Sequence, residues 1–321
     1  MIETQGLTKS FKTRQGEVEA VRGVDLQVQV GDIFGFLGPN GAGKTTTMRM
    51  LATLLEPTGG QARVCGYDLL RQPGQVRTKI GYVSQTGGTI PSDSARENLV
   101  LQGRLYGMSN VEARTRAQEL IEKFDLTPFA DRRALTYSGG QRRRLDTAMS
   151  IMHLPTLLFL DEPTTGLDPQ SRTRVWDEVR RLHDAGMTIF LTTHYLDEAD
   201  ALCDRLAIID NGRIVSEGTP DSLKRQVAGD RITLGLNLQN GTGARVDALL
   251  RAQPFVHELH PFDGGLNVYV ERGEEALPIM LRLLDPSGVT LQTVMLARPT
   301  LDDVFLKLTG RSLRETDAKT A

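Results

Sequence analysis

A chain of 321 residues carries 38 Lys and Arg against 40 Asp and Glu, a net charge of −2, with an apolar fraction of 39% that is ordinary for a globular protein. That length suffices for one large domain with or without a smaller one, and the charge balance gives no support to a dedicated nucleic-acid binder, which needs a basic excess. The opening stretch MIETQGLTKSFKTRQGE lacks the apolar core of a signal peptide, and no run approaches the ~18 apolar residues of a membrane span. Any action at a membrane is therefore expected to pass through a partner. Cys65 and Cys203 stand far apart without metal-ligand spacing and read as two reduced, buried thiols.

Taken in chain order, residues 1–30 read as short strands with turns, and 18–30 alternate in part as in an antiparallel sheet with one solvated face. Residues 32–38 form an apolar strand ending in glycine, followed by a helix over 45–55 that stops at Pro57 and Gly59-Gly60. A short strand over 78–84 leads into a mostly helical stretch from Ser94 to Arg132, and a further helix follows Ser138-Gly139-Gly140. The strand at 156–163, the helix after Ser171, the strand ending at His194 and the helix near 196–203 alternate in turn. A hairpin about Asn211-Gly212 closes this part. Strands alternating with helices imply a largely parallel sheet covered on both faces. From about residue 230 the order becomes βαββαβ, the ferredoxin-like pattern, with Phe262-Asp263-Gly264-Gly265 joining its two middle strands and a last helix from Thr300. A boundary near Ala228-Gly229 divides a first domain, 1–228, with a helical part at about 90–150, from a second, 229–311; residues 312–321 are a polar tail expected to fray.

Gly38-Pro39-Asn40-Gly41-Ala42-Gly43-Lys44-Thr45 fits G-x-x-x-x-G-K-[ST] without a gap and lies between a strand and a helix. The glycines let the backbone wrap phosphate oxygens, with N–H groups and the helix N-terminus aimed at that charge. Lys44 reaches the β- and γ-phosphates, Thr45 binds Mg²⁺, and Thr46 donates toward the α-phosphate. The apolar run Leu157–Leu160 ends in Asp161-Glu162. A buried strand ending in a carboxylate is the second half of such a site: Asp161 holds the hydrated Mg²⁺, and Glu162, one residue nearer the γ-phosphate, orients or deprotonates water.

Tyr137-Ser138-Gly139-Gly140-Gln141 stands about twenty residues before the acidic strand end, and with that spacing residues 1–220 resemble the ATP-binding subunits of ABC transporters. The resemblance implies an α/β P-loop NTPase cassette with antiparallel and helical subdomains, followed by the small α+β ferredoxin-like domain. It implies a Q-loop role for Gln85, sensing Mg²⁺ and coupling to the membrane domain. It also implies a D-loop at Gly166-Leu167-Asp168-Pro169 that crosses a dimer interface, a γ-phosphate contact from His194, and stacking of Phe11 on adenine. Tyr137 departs from the commoner Leu and should cap the helix equally well. Arg142-Arg143-Arg144 reads as helix-surface ion pairing and interface packing rather than a nucleic-acid patch.

The helix N-terminus carrying Ser138, Gly139 and Gly140 is a second anion site. It is expected on the far side of the domain, where by resemblance it completes the site of a second copy, head to tail. Three stretches, residues 136–169, 193–214 and 299–311, are similar to drug and antibiotic exporters of the daunorubicin-resistance type. That similarity implies two ATPase subunits with two copies of a separate ABC-2 type permease. The assembly would work at the cytoplasmic face of the plasma membrane and export an apolar compound that mainly contacts the permease. The segment from Ile90 to Arg132 is expected to receive the permease's cytoplasmic helix. The ATP site alone does not separate this from the motor of another ABC class, a lipid or polysaccharide exporter or an importer. A soluble ABC ATPase of ribosomes or DNA would carry two cassettes or a long coiled-coil insertion, and neither is present. His257 and His260 are too few for a metal site, and the second domain reads as a dimer-stabilising or regulatory part.

Overall fold

The computed structural model describes residues 1–14, 16–227, 229–236, 242–262, 264–287 and 291–310. The chain forms two compact units that divide between Gly218 and Thr219. The first unit opens with a hairpin of β1 (Ile2–Thr13) and β2 (Gly16–Val28), followed by β3 (Ile33–Leu37), α1 (Lys44–Leu51), β4 (Gly59–Val64), β5 (Tyr67–Asp68), α2 (Pro73–Lys79) and β6 (Ile80–Val83). Next come α3 (Ala95–Leu105), α4 (Asn110–Lys123) and α5 (Gly139–Ser150), then β7 (Leu157–Asp161), α6 (Pro169–Asp184), β8 (Thr188–Thr193), α7 (Leu196–Leu202), β9 (Arg205–Asp210) and β10 (Arg213–Gly218).

Two sheets build this unit. The antiparallel one runs β2-β1-β4-β5. The second runs β10-β9-β3-β8-β7-β6, parallel throughout except for the β9–β10 hairpin. Its central strands β3, β7 and β8 are buried along their whole length, as a sheet covered on both faces requires. Phe34, Phe36 and Phe159 gather around Phe190, with ring centres 5.6–5.8 Å apart. Because β3, β7 and β8 are parallel, the loops after all three leave the same sheet edge, the position where open α/β sheets bind ligands.

The helices of the middle segment start where their caps say. Ser94, Ser109 and Ser138 each close a capping box, with Glu97, Glu112 and Gln141 three residues on. Asp168 caps α6 by accepting from Ser171 N, with Pro169 at the first helical position. Strands β4 and β5 and helix α2 were not legible in the sequence. The pairing of β4 with β1 joins Ile2 to Val64 and Glu3 to Arg63, a contact across the chain that no local pattern announces.

The second unit contains α8 (Pro220–Val227), β11 (Asp230–Leu236), α9 (Thr242–Arg251), β12 (Val256–Phe262), β13 (Gly265–Val270), α10 (Gly273–Leu284), β14 (Leu291–Ala297) and α11 (Leu301–Thr309). Its antiparallel sheet runs β12-β13-β11-β14, the ferredoxin-like order. Val246, Leu250, Met280 and Leu284 from α9 and α10 pack on Ile232, Leu234 and Val268 of the sheet. The division differs from the expected one: α8 belongs to this unit, because it packs against α11. Ala228, Asp263 of the expected turn and the tail 312–321 lie outside the described residues.

Two further expectations are corrected. Cys203 is buried but Cys65 only half so. Among the described residues the arginines of α5 make no ion pair: Arg143 is 7% exposed and Arg144 donates to the carbonyls of Phe124 and Asp125. Gly139, at the N-terminus of α5, lines a cleft of about 180 Å³ together with Gln85 and Glu162. His260 pairs with Glu258 on exposed strand β12, and no group of three metal-ligating side chains occurs among the described residues.

Candidate functional site

The loop between β3 and α1 bends through positive φ at Gly41 and Gly43. A side chain at Gly43 would also stand 2.6 Å from the carbonyl of Ala20, so only glycine fits. Lys44 opens α1, nearly buried, and its ammonium donates to the carbonyls of Gly38 (2.7 Å) and Pro39 (3.1 Å). A buried cation held inside a loop of this geometry is matched to an anion.

Asp161, fully buried at the end of β7, collects hydroxyl donors: Thr45 at 2.9 Å and Thr192 at 2.7 Å on one oxygen, Tyr82 at 3.3 Å on the other. Thr192 is its register partner on β8. The Thr45–Asp161 pair is an all-oxygen donor set, the chemistry that suits a hard cation such as Mg²⁺. Gln85 is not part of that pair; its amide donates to Glu162 Oε2 at 3.0 Å.

Glu162 stands where β7 turns, in the left-handed region at φ 46°, an uncommon conformation for a side-chain-bearing residue that marks sites where geometry is over-determined. Both of its oxygens face polar side chains. Oε1 faces Lys44 Nζ at 3.4 Å and His194 Nδ1 at 3.5 Å. Oε2 accepts from Gln85 and, at 3.2 Å, from Thr165. Burial would raise its pKa, but the contact with His194 and the charge of Lys44 prevail and hold it at about 2.

The sequence-predicted residues therefore fall into three groups. Lys44, Gln85 and His194 converge on the carboxylate of Glu162, with Thr45 and Asp161 beside them. Ser138 keeps to its own cap, with its hydroxyl accepting from Gln141 N and its N–H donating to Gln141 Oε1. Asp168 likewise caps α6, and the bond from Ser171 lowers its pKa. Phe11 lies on β1, 38% exposed, with Lys9 Nζ 5.3 Å from its ring centre. Tyr82, Thr165, Thr192 and Asp146 complete the surroundings and were not singled out from sequence, and Arg143, read there as helix surface, joins them.

Comparison with known proteins follows the same division of the chain. Residues 21–165 match the family model described as ABC transporter, and residues 218–309 that described as ATP-binding protein DrrA1-3-like, C-terminal domain. The chain is 45% identical to the daunorubicin resistance ATP-binding protein DrrA2 of Streptomyces coeruleorubidus, over 98% of this chain and 97% of that protein. It is 46% identical to the daunorubicin/doxorubicin resistance ATP-binding protein DrrA of Streptomyces peucetius, over 96% and 92%. Among solved structures, a dimeric post-hydrolysis state of an ATP-binding cassette bound to ADP and Pi superposes with a TM-score of 0.63 at 27% identity, covering 68% of this chain and 98% of that one.

Proposed function

The chain belongs to the ABC transporter ATP-binding family, with a DrrA-like second domain, and is an ATP-hydrolysing transport subunit; from that premise we propose that it drives export of a drug, antibiotic or other hydrophobic compound through a separate ABC-2 type permease. Two copies bind ATP head to tail at the cytoplasmic face of the membrane. The names of the relatives support the cargo class, and the dimeric cassette to which the first unit is similar supports the pairing.

The observation that carries the reading is the set of partners around Glu162. Lys44 is shared between Glu162 and two loop carbonyls. A triphosphate in the loop competes for that ammonium, and Glu162 then loses a charge that holds its pKa near 2. The carboxylate becomes a better base where attacking water must be oriented. His194 and Gln85, freed from the same carboxylate, are placed to donate to the γ-phosphate and to the water. Thr45 and Asp161 would hold Mg²⁺, with Gln85 as the third ligand once it leaves Glu162. Bound there, the ion neutralises charge developing on the phosphate oxygens. Phe11 stacks on adenine, Asp168 reaches the dimer interface, and Ser138, Gly139 and Gly140 donate to the γ-phosphate of the second copy.

Glu162→Gln tests this directly. The variant is expected to bind ATP with near-parental affinity, to lose on the order of 10²–10⁴-fold in turnover, and to accumulate as a nucleotide-loaded dimer in size exclusion. Co-expressed with its permease in a drug-sensitive host, it is expected to confer no resistance. Parental turnover from the purified variant would remove Glu162 from the chemistry.

A further inference from the structure

Arg143 lies in the second turn of α5, five residues from Ser138, and its guanidinium is buried. It donates to two carbonyls: Nη1 to Ser84 O at 2.6 Å and Nη2 to Asp161 O at 3.1 Å. These are not arbitrary acceptors. The carbonyl of Ser84 belongs to the peptide unit from which Gln85 emerges, and that of Asp161 to the unit from which Glu162 emerges. One planar fork thus grips the backbone immediately before both partners of the Gln85–Glu162 hydrogen bond.

One turn further along α5, Asp146 holds the other end of the Gln85 segment. Its Oδ1 accepts from Gly88 N (2.9 Å), Thr89 N (2.9 Å) and Thr89 Oγ1 (2.7 Å). Between the two grips the chain turns through Gly87 at φ +78°, where an added Cβ would stand 2.4 Å from Asp146 Oδ2. Both side chains are 7% exposed. Burial lowers the pKa of Arg143, and the nearby carboxylates, Asp146 first, oppose that. The helix therefore carries a buried cation and a buried anion, spaced to clamp both ends of residues 84–89.

We propose that Arg143 and Asp146 are positioning residues for ATP hydrolysis: they set the distance between Gln85 and Glu162 and tie it to the placement of α5, whose N-terminus carries Ser138. This rests on the reading of Glu162 given above. A shift of α5 when a second copy's nucleotide meets Ser138 is passed directly to Gln85 and Glu162. Neither Arg143 nor Asp146 touches substrate in this role.

The test uses the full chain with ATP, with turnover normalised to nucleotide-competent sites by titration. Arg143→Gln is expected to bind ATP within about twofold of the parent and to lose roughly 10–100-fold in kcat, the scale of an ångström-sized misplacement. Arg143→Lys, a point charge that cannot bridge two carbonyls, is expected to recover only part of the loss. In a Gln85→Ala background the effect of Arg143→Gln is expected to shrink at least about threefold, because coupled residues are not additive. Equal effects in both backgrounds, or a kcat that falls only in proportion to competent sites, would overturn the proposal. If Arg143→Gln does not fold, the near-isosteric Asp146→Asn is read by the same criteria. Glu162→Gln separates the two ideas: parental turnover there defeats the site reading, whereas a dead Glu162→Gln beside a fully active Arg143→Gln defeats the clamp alone.

Discussion

At the scale of single residues, two buried carboxyls, Glu162 and Glu178, behave in opposite ways for one reason, the presence or absence of a partner. Glu162 is buried and paired, and lies near pKa 2; its contribution to stability is present above the unfolded value of 4.5 and is lost as pH falls toward 2. Glu178 on α6 is 5% exposed, makes no hydrogen bond or ion pair among the described residues, and is pushed up to about 8 by burial, against the opposing charges of Arg181 and Arg144. It keeps its proton in the fold at pH values where the unfolded chain has lost it, so stability should fall as pH rises from about 4.5 to about 8. Glu178→Gln, which cannot ionise, is expected to match the parent at pH 5 and to be more stable at pH 8 by on the order of a few kcal/mol. Unfolding midpoints in urea at the two pH values decide this; the same difference at both would mean that ionisation of Glu178 does not matter.

At the scale of elements, helix caps separate stability from chemistry. Ser109 and Ser138 close similar capping boxes, on α4 and α5. Replacing either by Ala should cost about 1 kcal/mol of stability. Only Ser138→Ala is expected to lose turnover as well, by about 10²–10³-fold if its hydroxyl is a γ-phosphate donor; equal ATPase activities in the two variants would leave Ser138 a cap and nothing more. The contrast also shows what the sequence could disclose. The phosphate loop, Asp161-Glu162 and the capped start of α5 were legible because their chemistry is contiguous: the glycines, the lysine and the following helix are neighbours. Thr192 and Tyr82 were not, because they reach Asp161 from 31 and 79 residues away, and a Thr in an apolar strand carries no mark of its partner. Arg143 was misread as surface for the same reason: three arginines in a row look solvated until the fold brings the carbonyls of Ser84 and Asp161 to one of them. The ferredoxin-like order of β11–β14 was readable from alternation, whereas the placement of α8 with the second unit depended on its packing against α11.

At the scale of the whole molecule, the proposed pairing is a statement about which groups act in the same chain and which in different ones. Lys44 and Glu162 are joined within one copy at 3.4 Å, while the Ser138 side chain, among the described residues, is engaged with its own cap. In a head-to-tail dimer with two-fold symmetry each site takes the loop of one copy and the α5 N-terminus of the other. Two tagged chains purified as a mixed dimer distinguish the arrangements. With Lys44→Ala in one chain and Ser138→Ala in its partner, both defects fall in one shared site and the other site is intact, so up to about half the parental activity is expected per dimer. With both substitutions in one chain and none in the other, each shared site carries one defect, and little activity is expected although one chain is unaltered. Sites confined to single chains would give the reverse order, because the unaltered copy would work alone. An active dimer from the doubly substituted chain and its intact partner would therefore end the case for sharing, whatever the singly substituted pair does.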